Sequence, residues 1–96
     1  MNQAAEFKTP AKLMGALAHP IRLGVLSQLL DGPAIVTDLV NHFDEDQTKI
    51  SKHLAILRNA GLVDCQADGR CRIYSLADKE TVRKIMDCLT KLQPKT

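Results

Sequence analysis

The chain has 96 residues, 45% of them hydrophobic, which is enough for one domain with a core and too apolar for a disordered segment. No apolar run approaches the length of about 18 residues that a membrane helix needs, and no signal-peptide pattern is present, so we expect a soluble, cytoplasmic protein. The three cysteines are odd in number and widely spaced, which does not suggest the disulfide framework of a secreted protein.

The first half of the chain is predicted to form three helices, because its apolar residues recur at helical spacing. The first covers residues 4–18 and ends there, since His19 precedes Pro20 and a residue before proline is disfavoured in a helix. Pro20 suits the first turn of the second helix, which the Asp-Gly-Pro sequence at 31–33 ends. A short third helix covers residues 36–43.

A fourth helix is predicted to follow an acidic turn. Asp46 is its best N-cap candidate, because a carboxylate there can accept the free N–H groups of the first turn. Ile50, Leu54 and Leu57 share one face, which we expect to be buried. Gly61 suits a left-handed end to this helix.

A β-hairpin, which we call the wing, is predicted after this helix, with Asp68 and Gly69 at the centre of a type I′ turn. That register pairs Cys65 with Arg72 across the two strands. A last helix covers residues 78–92. The predicted fold is therefore mainly α with a small β-hairpin: a single winged helix-turn-helix domain over residues 1–96, in the order α-α-α-α-β-β-α.

Charge is distributed unevenly along the chain, although the net charge is only +2. Residues 23–46 contain five acidic side chains and no Lys or Arg. Residues 47–75 contain five basic side chains and two acidic ones. A basic segment on a balanced domain is typical of a surface that contacts phosphates. From charge alone, an ordinary solvated face fits equally well.

Three segments together resemble the ArsR/SmtB winged-helix repressors, which are homodimeric bacterial transcription factors. They are LMGALAHPIRLGVLSQLL at 13–30, QTKISKHLAIL at 47–57, and NAGLV at 59–63 followed by GRCRIYSL at 69–76. The resemblance implies DNA binding by the fourth helix and the wing, and release of an operator on sensing a metal, a metalloid or a thiol-reactive signal. We expect the helices at 4–18 and 78–92 to form the dimer interface, since their apolar stripes exceed what one small core can cover.

The resemblance also implies which side chains contact double-stranded DNA. The first turns of the fourth helix would enter the major groove, and the basic wing would contact the backbone or the minor groove. His53 is expected to support the helix more than to contact a base, and Arg72 to pack along its strand as an alternative to contacting DNA. The implied set is Gln47, Thr48, Lys49, Ser51, Lys52, His53, Arg70 and Arg72.

The signal that such a protein would sense is not evident, because neither usual metal site of the family carries over. The third helix lacks the Cys-x-Cys pair, and the last helix contains no histidine. Cys65, Cys71 and Cys88 remain as candidates for sensing As(III), Sb(III), another soft metal ion or an oxidant. They are equally well explained as small hydrophobic residues.

The sequence leaves three function classes to consider. The leading hypothesis is a homodimeric repressor that releases an inverted-repeat operator on a metalloid, metal or thiol-reactive signal. The alternatives are a regulator of this type without such a sensor, and a winged-helix module for protein–protein contact. An enzyme is disfavoured, because the sequence offers no nucleophile–base arrangement, phosphate-binding glycine loop or complete metal-ligand set.

Overall fold

The computed structural model describes residues 3–92 and residue 94. This part of the chain contains five α-helices and one three-stranded antiparallel sheet, which confirms the predicted fold class. A 3₁₀ turn at Gln3–Phe7 precedes α1 (Lys8–Leu17), α2 (Pro20–Asp31), β1 (Ala34–Ile35), α3 (Val36–Phe43), α4 (Gln47–Asn59), β2 (Val63–Asp68), β3 (Cys71–Leu76) and α5 (Lys79–Lys91). None of these helices is by itself long and apolar enough to span a membrane. The segments Ala4–Leu17 and Pro20–Asp31 reach the required length and apolar composition only when they are taken together, and the chain bends by 88° between them.

The predicted break between the first two helices is confirmed. Helix α2 begins at Pro20, and the Nδ1 atom of His19 accepts a hydrogen bond from the N–H of Ile21 at 3.1 Å. His19 therefore caps the helix and satisfies one of the N–H groups that a helix start leaves free.

The core lies between α2, α3 and α4. Ile50, Leu54 and Leu57 of α4 are fully buried, as predicted, and so are Leu26 of α2 and Leu39 of α3. Full burial of an aliphatic side chain of this size contributes about 1.5–3 kcal/mol. This packing fixes the inner face of α4 and leaves its polar face outward.

The turn of the wing differs from the predicted type. Strand β2 ends at Asp68 and strand β3 begins at Cys71, so Gly69 and Arg70 are the two central residues of the turn. Gly69 has a positive φ of 62°. Arg70 has a negative φ, because Asp44 is the one non-glycine residue in the described part of the chain whose φ is positive. A type I′ turn needs a positive φ at both central positions and a type II′ turn only at the first. The φ values therefore fit a II′ turn with Arg70 at its tip.

The predicted hairpin register was wrong by two residues. Cys65 pairs with Tyr74, and Arg72 pairs with Ala67. A shift of two residues keeps every side chain on its predicted face, because side chains alternate along a strand. Cys65 and Cys71 therefore still lie on opposite faces of the wing. The observed register brings Tyr74, which is 8% exposed, into the core cluster.

A third strand, β1, is absent from the prediction. Ala34 and Ile35 pair with Tyr74 and Ile73 of β3, so the sheet order is β1-β3-β2. Two residues are too few to produce an alternating pattern that sequence reasoning can detect. The strand joins the start of α3 to the wing and thereby orients the wing relative to the helices.

Candidate nucleic-acid interface

Helix α4 begins with a capped amino terminus at the protein surface. The Oδ1 atom of Asp46 accepts a hydrogen bond from the N–H of Thr48 at 2.7 Å, so the predicted N-cap is confirmed. Gln47 and Thr48 are exposed in the first turn. Side chains at such a position reach base edges and phosphates more easily than side chains farther along a helix that enters a groove.

The polar face of α4 and the tip of the wing are open to solvent. Seven of the eight side chains expected to contact DNA are exposed in the structure: Gln47, Thr48, Lys49, Ser51, Lys52, Arg70 and Arg72. We call these seven residues the α4–wing surface.

A cavity of about 470 Å³ separates the two parts of this surface. Its lining includes Gln47 and Ser51 from α4, Arg70 and Arg72 from the wing, and Thr37 from the start of α3. These side chains offer guanidinium, hydroxyl and amide groups, which are the donors that proteins use for phosphate oxygens and base edges. The fold thus brings together residues that lie far apart in the sequence.

One cation of the α4–wing surface is already paired. The Nζ atom of Lys49 lies 3.7 Å from the Oε1 atom of Glu45, which is four residues earlier, in the turn before α4. An exposed pair of this kind contributes little to stability. Lys49 can therefore exchange Glu45 for a phosphate oxygen at small cost.

His53 is the exception among the predicted DNA contacts, because it is half-buried. Its Nδ1 atom lies 3.3 Å from the Nη1 atom of Arg22, and its ring centroid lies 4.3 Å from that of His19. Burial, followed by the neighbouring His19 and Arg22, lowers the pKa of His53 below its usual value, and Glu45 acts in the opposite direction. No role for Arg22 was predicted from the sequence. The feature that could have drawn attention to it is its charged side chain among the apolar residues of α2.

The face expected to form the dimer interface is an open apolar groove of about 470 Å³. It is lined by Met14 of α1, Leu23 of α2, and Ile85, Cys88 and Leu89 of α5. Met14 is 62% exposed and Leu89 is 37% exposed. Large exposed apolar side chains along one groove are typical of an interaction surface.

The three cysteines are free and do not come together. Cys65 is half-buried beside Tyr74, whose pKa is raised by burial and then by its hydrogen bond with Cys65. Cys71 is exposed on the wing and Cys88 is exposed on α5. Among residues 3–92 and 94, no group of three or more His, Cys, Asp or Glu side chains is arranged to hold a metal ion.

The helix-turn-helix of α3 and α4, followed by the β-hairpin, defines a winged-helix protein. Residues 19–64 match the model of the family described as "Bacterial regulatory protein, arsR family". The chain is also 34% identical over 95 residues to the transcriptional activator HlyU of Vibrio cholerae, covering 96% of this chain and 87% of HlyU. The protein belongs to the ArsR family.

The chain is also similar to two mycobacterial proteins. The transcriptional regulator NmtR of Mycobacterium tuberculosis is 43% identical over 77 residues, which cover 80% of this chain and 63% of NmtR. The chain thus spans somewhat less than two thirds of that relative. The homodimeric winged helix-turn-helix DNA-binding domain Mb0332 of Mycobacterium bovis superimposes with a TM-score of 0.82 at 27% identity, covering 93% of this chain and 82% of that one.

The Asp46 cap leads to a testable prediction. Replacing Asp46 by alanine is expected to lower the free energy of unfolding by about 1 kcal/mol, because the N–H of Thr48 loses its acceptor. Asp46→Asn serves as the matched control, since asparagine caps as well as aspartate. Urea unfolding at neutral pH measures both. If both variants lost the same free energy of unfolding, the loss would not come from the cap.

Proposed function

We propose that the protein is a homodimeric, DNA-binding transcriptional repressor that recognises an inverted-repeat operator. The observation that carries this proposal is the α4–wing surface, where polar and basic side chains from two separate elements meet across one cavity. Membership of the ArsR family supports the same reading.

In this proposal, the amino-terminal half of α4 enters the major groove. Gln47 can donate to and accept from one adenine through two hydrogen bonds, while the hydroxyl groups of Thr48 and Ser51 suit phosphate oxygens. Lys52 adds a phosphate contact beside the groove. Arg70, at the tip of the wing, reaches the flanking backbone or the minor groove.

Dimerisation is proposed to occur through the apolar groove between α1, α2 and α5. Pairing two copies at this groove would cover Met14 and Leu89, which are exposed in the single chain. A two-fold dimer presents two α4 helices to one side of the duplex, and its operator must then share the two-fold symmetry. The Mb0332 domain, to which this chain is similar, is homodimeric, and that likeness supports a dimer here.

The signal that controls binding forms the last part of the proposal. Thiol chemistry is favoured at Cys71, which is exposed and lies between two arginines, over half-buried Cys65. Cys88 lines the groove proposed for dimerisation and would lie at the interface between the protomers. An As(III) or Sb(III) ion that takes three thiolates would need cysteines from both protomers, since those of one chain do not converge.

Selection from random duplexes tests the DNA-binding proposal. The purified protein is incubated with a pool of random-sequence duplexes, and the bound molecules are sequenced after several rounds. We expect an inverted repeat whose half-site centres lie one helical turn, about 10 base pairs, or a small multiple of it apart. Recovery of no common sequence would overturn specific binding, and recovery of an isolated half-site would overturn the dimer.

A further inference from the structure

One arginine joins the end of α1 to the recognition helix α4. The Nε atom of Arg22 donates to the carbonyl of Ala16 at 2.6 Å, and its Nη2 atom donates to the carbonyl of Gly15 at 3.2 Å. Its Nη1 atom lies 3.3 Å from Nδ1 of His53. A planar guanidinium with five N–H donors can make these three contacts at once. Arg22 therefore links the helix proposed for dimerisation with the helix proposed for reading DNA.

The protonation state of His53 decides whether this link can form. A guanidinium only donates hydrogen bonds, so Nδ1 of His53 must accept, and the neutral ring must carry its proton on Nε2. Protonated His53 has a donor at both ring nitrogens. It would lose the bond to Arg22 and place a positive charge against the guanidinium.

The groups around the ring oppose that extra charge. The His19 ring lies against the His53 ring at an interplanar angle of 45°, from the junction of α1 and α2, and Arg22 approaches from α2. Glu45, in the turn before α4, is the one described carboxylate that acts on the ring, and it is engaged with Lys49 and with the N–H of Asp46. Burial and the neighbouring His19 and Arg22 outweigh it, so the pKa of His53 is lowered.

We propose that Arg22 is a positioning residue for DNA binding, and that its contact with neutral His53 makes the orientation of α4 sensitive to pH. When His53 is protonated, α4 loses its link to α1 and the affinity for DNA falls. This inference rests on the proposed function, and it names a regulatory input to that same surface.

The direction of the pH effect distinguishes this role from a direct contact. The pKa of His53 is lower in the folded chain than in the unfolded one, so the unfolded state binds more protons at any pH between these two pKa values. The free energy of unfolding therefore falls as the pH drops through this range. The link to Arg22 is lost over the same range, so DNA affinity falls too. A His53 that contacted a phosphate would instead bind DNA more tightly when protonated.

The test compares DNA affinity at constant ionic strength between pH 7.5 and 5.5, using a duplex selected by the wild-type protein. We expect the wild type to lose affinity by about twofold to fivefold on acidification, because one pKa unit of difference between free and bound protein corresponds to tenfold only once the pH lies below both pKa values. His53→Asn should retain the affinity at pH 7.5 and show no such loss, because the Asn Oδ1 atom can accept from Arg22 and does not titrate. His42→Asn, at an exposed histidine of α3, is the matched control and should behave as the wild type.

Arg22→Gln is expected to lower the affinity at pH 7.5 by about tenfold or more and to abolish the His53-dependent pH effect. Arg83→Gln, on the exposed side of α5, is its control. Nitrogen NMR of the His53 ring gives a readout that needs no DNA and that a merely structural role would not move. Neutral His53 should carry its proton on Nε2, and its pKa should rise in folded Arg22→Gln, because a neighbouring positive charge has been removed.

The outcomes separate this inference from the function on which it rests. If the wild type binds no duplex at any pH, the proposed function fails and the inference fails with it. If the wild type binds DNA and His53→Asn shows the same pH profile, only the inference is overturned. A proton on Nδ1 of neutral His53 would overturn it as well.

Discussion

Replacing Lys52 and Arg70 together by alanine is expected to reduce the affinity for a selected duplex by more than about tenfold near physiological salt, and to flatten its salt dependence. Both side chains are exposed on the α4–wing surface. Each phosphate contact contributes roughly 0.9 to the slope of log K against log salt, so the double variant should lose about 2 from that slope. Fluorescence anisotropy over a series of salt concentrations measures both quantities.

A charge-matched double variant controls for the loss of two cations. Lys79→Ala with Arg83→Ala removes the same net charge from α5, on a face that does not line the α4–wing cavity. It should change the affinity and the slope much less. An unchanged slope in the Lys52 and Arg70 variant would refute the assignment of these residues as phosphate contacts.

Replacing Leu89 by aspartate is expected to separate the dimer into folded monomers. Leu89 lines the apolar groove and is already 37% exposed in the single chain, so the fold of one protomer does not depend on burying it. In the dimer, the new carboxylate would be desolvated against apolar side chains, which is strongly unfavourable. Since each half-site would then bind alone, affinity for the full operator should fall by about a hundredfold or more.

Sedimentation at micromolar concentration measures the oligomeric state of this variant, and circular dichroism checks its fold. Ile56→Asp is a matched control for sedimentation, because Ile56 is 41% exposed and does not line the groove. It should remain dimeric. A Leu89→Asp protein that sediments as a dimer would place the interface elsewhere.

The elements predicted from sequence are those whose causes are local. Pro20 and the cap at Asp46 lie beside the helix ends that they determine. The apolar spacing of Ile50, Leu54 and Leu57 shows which face of α4 is buried. The neighbouring polar residues are then necessarily outward, so most of the α4–wing surface could be named without coordinates.

The wing was predicted less accurately, because its register depends on contacts between distant residues. An Asp-Gly pair favours a type I′ turn locally, and that preference led to a register two residues short. In the folded chain, Tyr74 pairs with both Cys65 and Ala34 and is buried in the core. Neither the two-residue strand β1 nor this burial leaves a periodic signal.

The helices, the buried face of α4 and the exposed cations could be predicted from the sequence, because helix periodicity and capping act within a few residues. The turn of the wing, the cavity between α4 and the wing, and the inward position of His53 depend on contacts between distant residues, so they are seen only in the tertiary structure. Arg22 and His53 are 31 positions apart, and no local pattern predicts that a guanidinium on α2 will meet an imidazole on α4. That contact exists because core packing brings the two helices together, and it supplies the partner of a histidine that was expected to support its helix more than to contact a base.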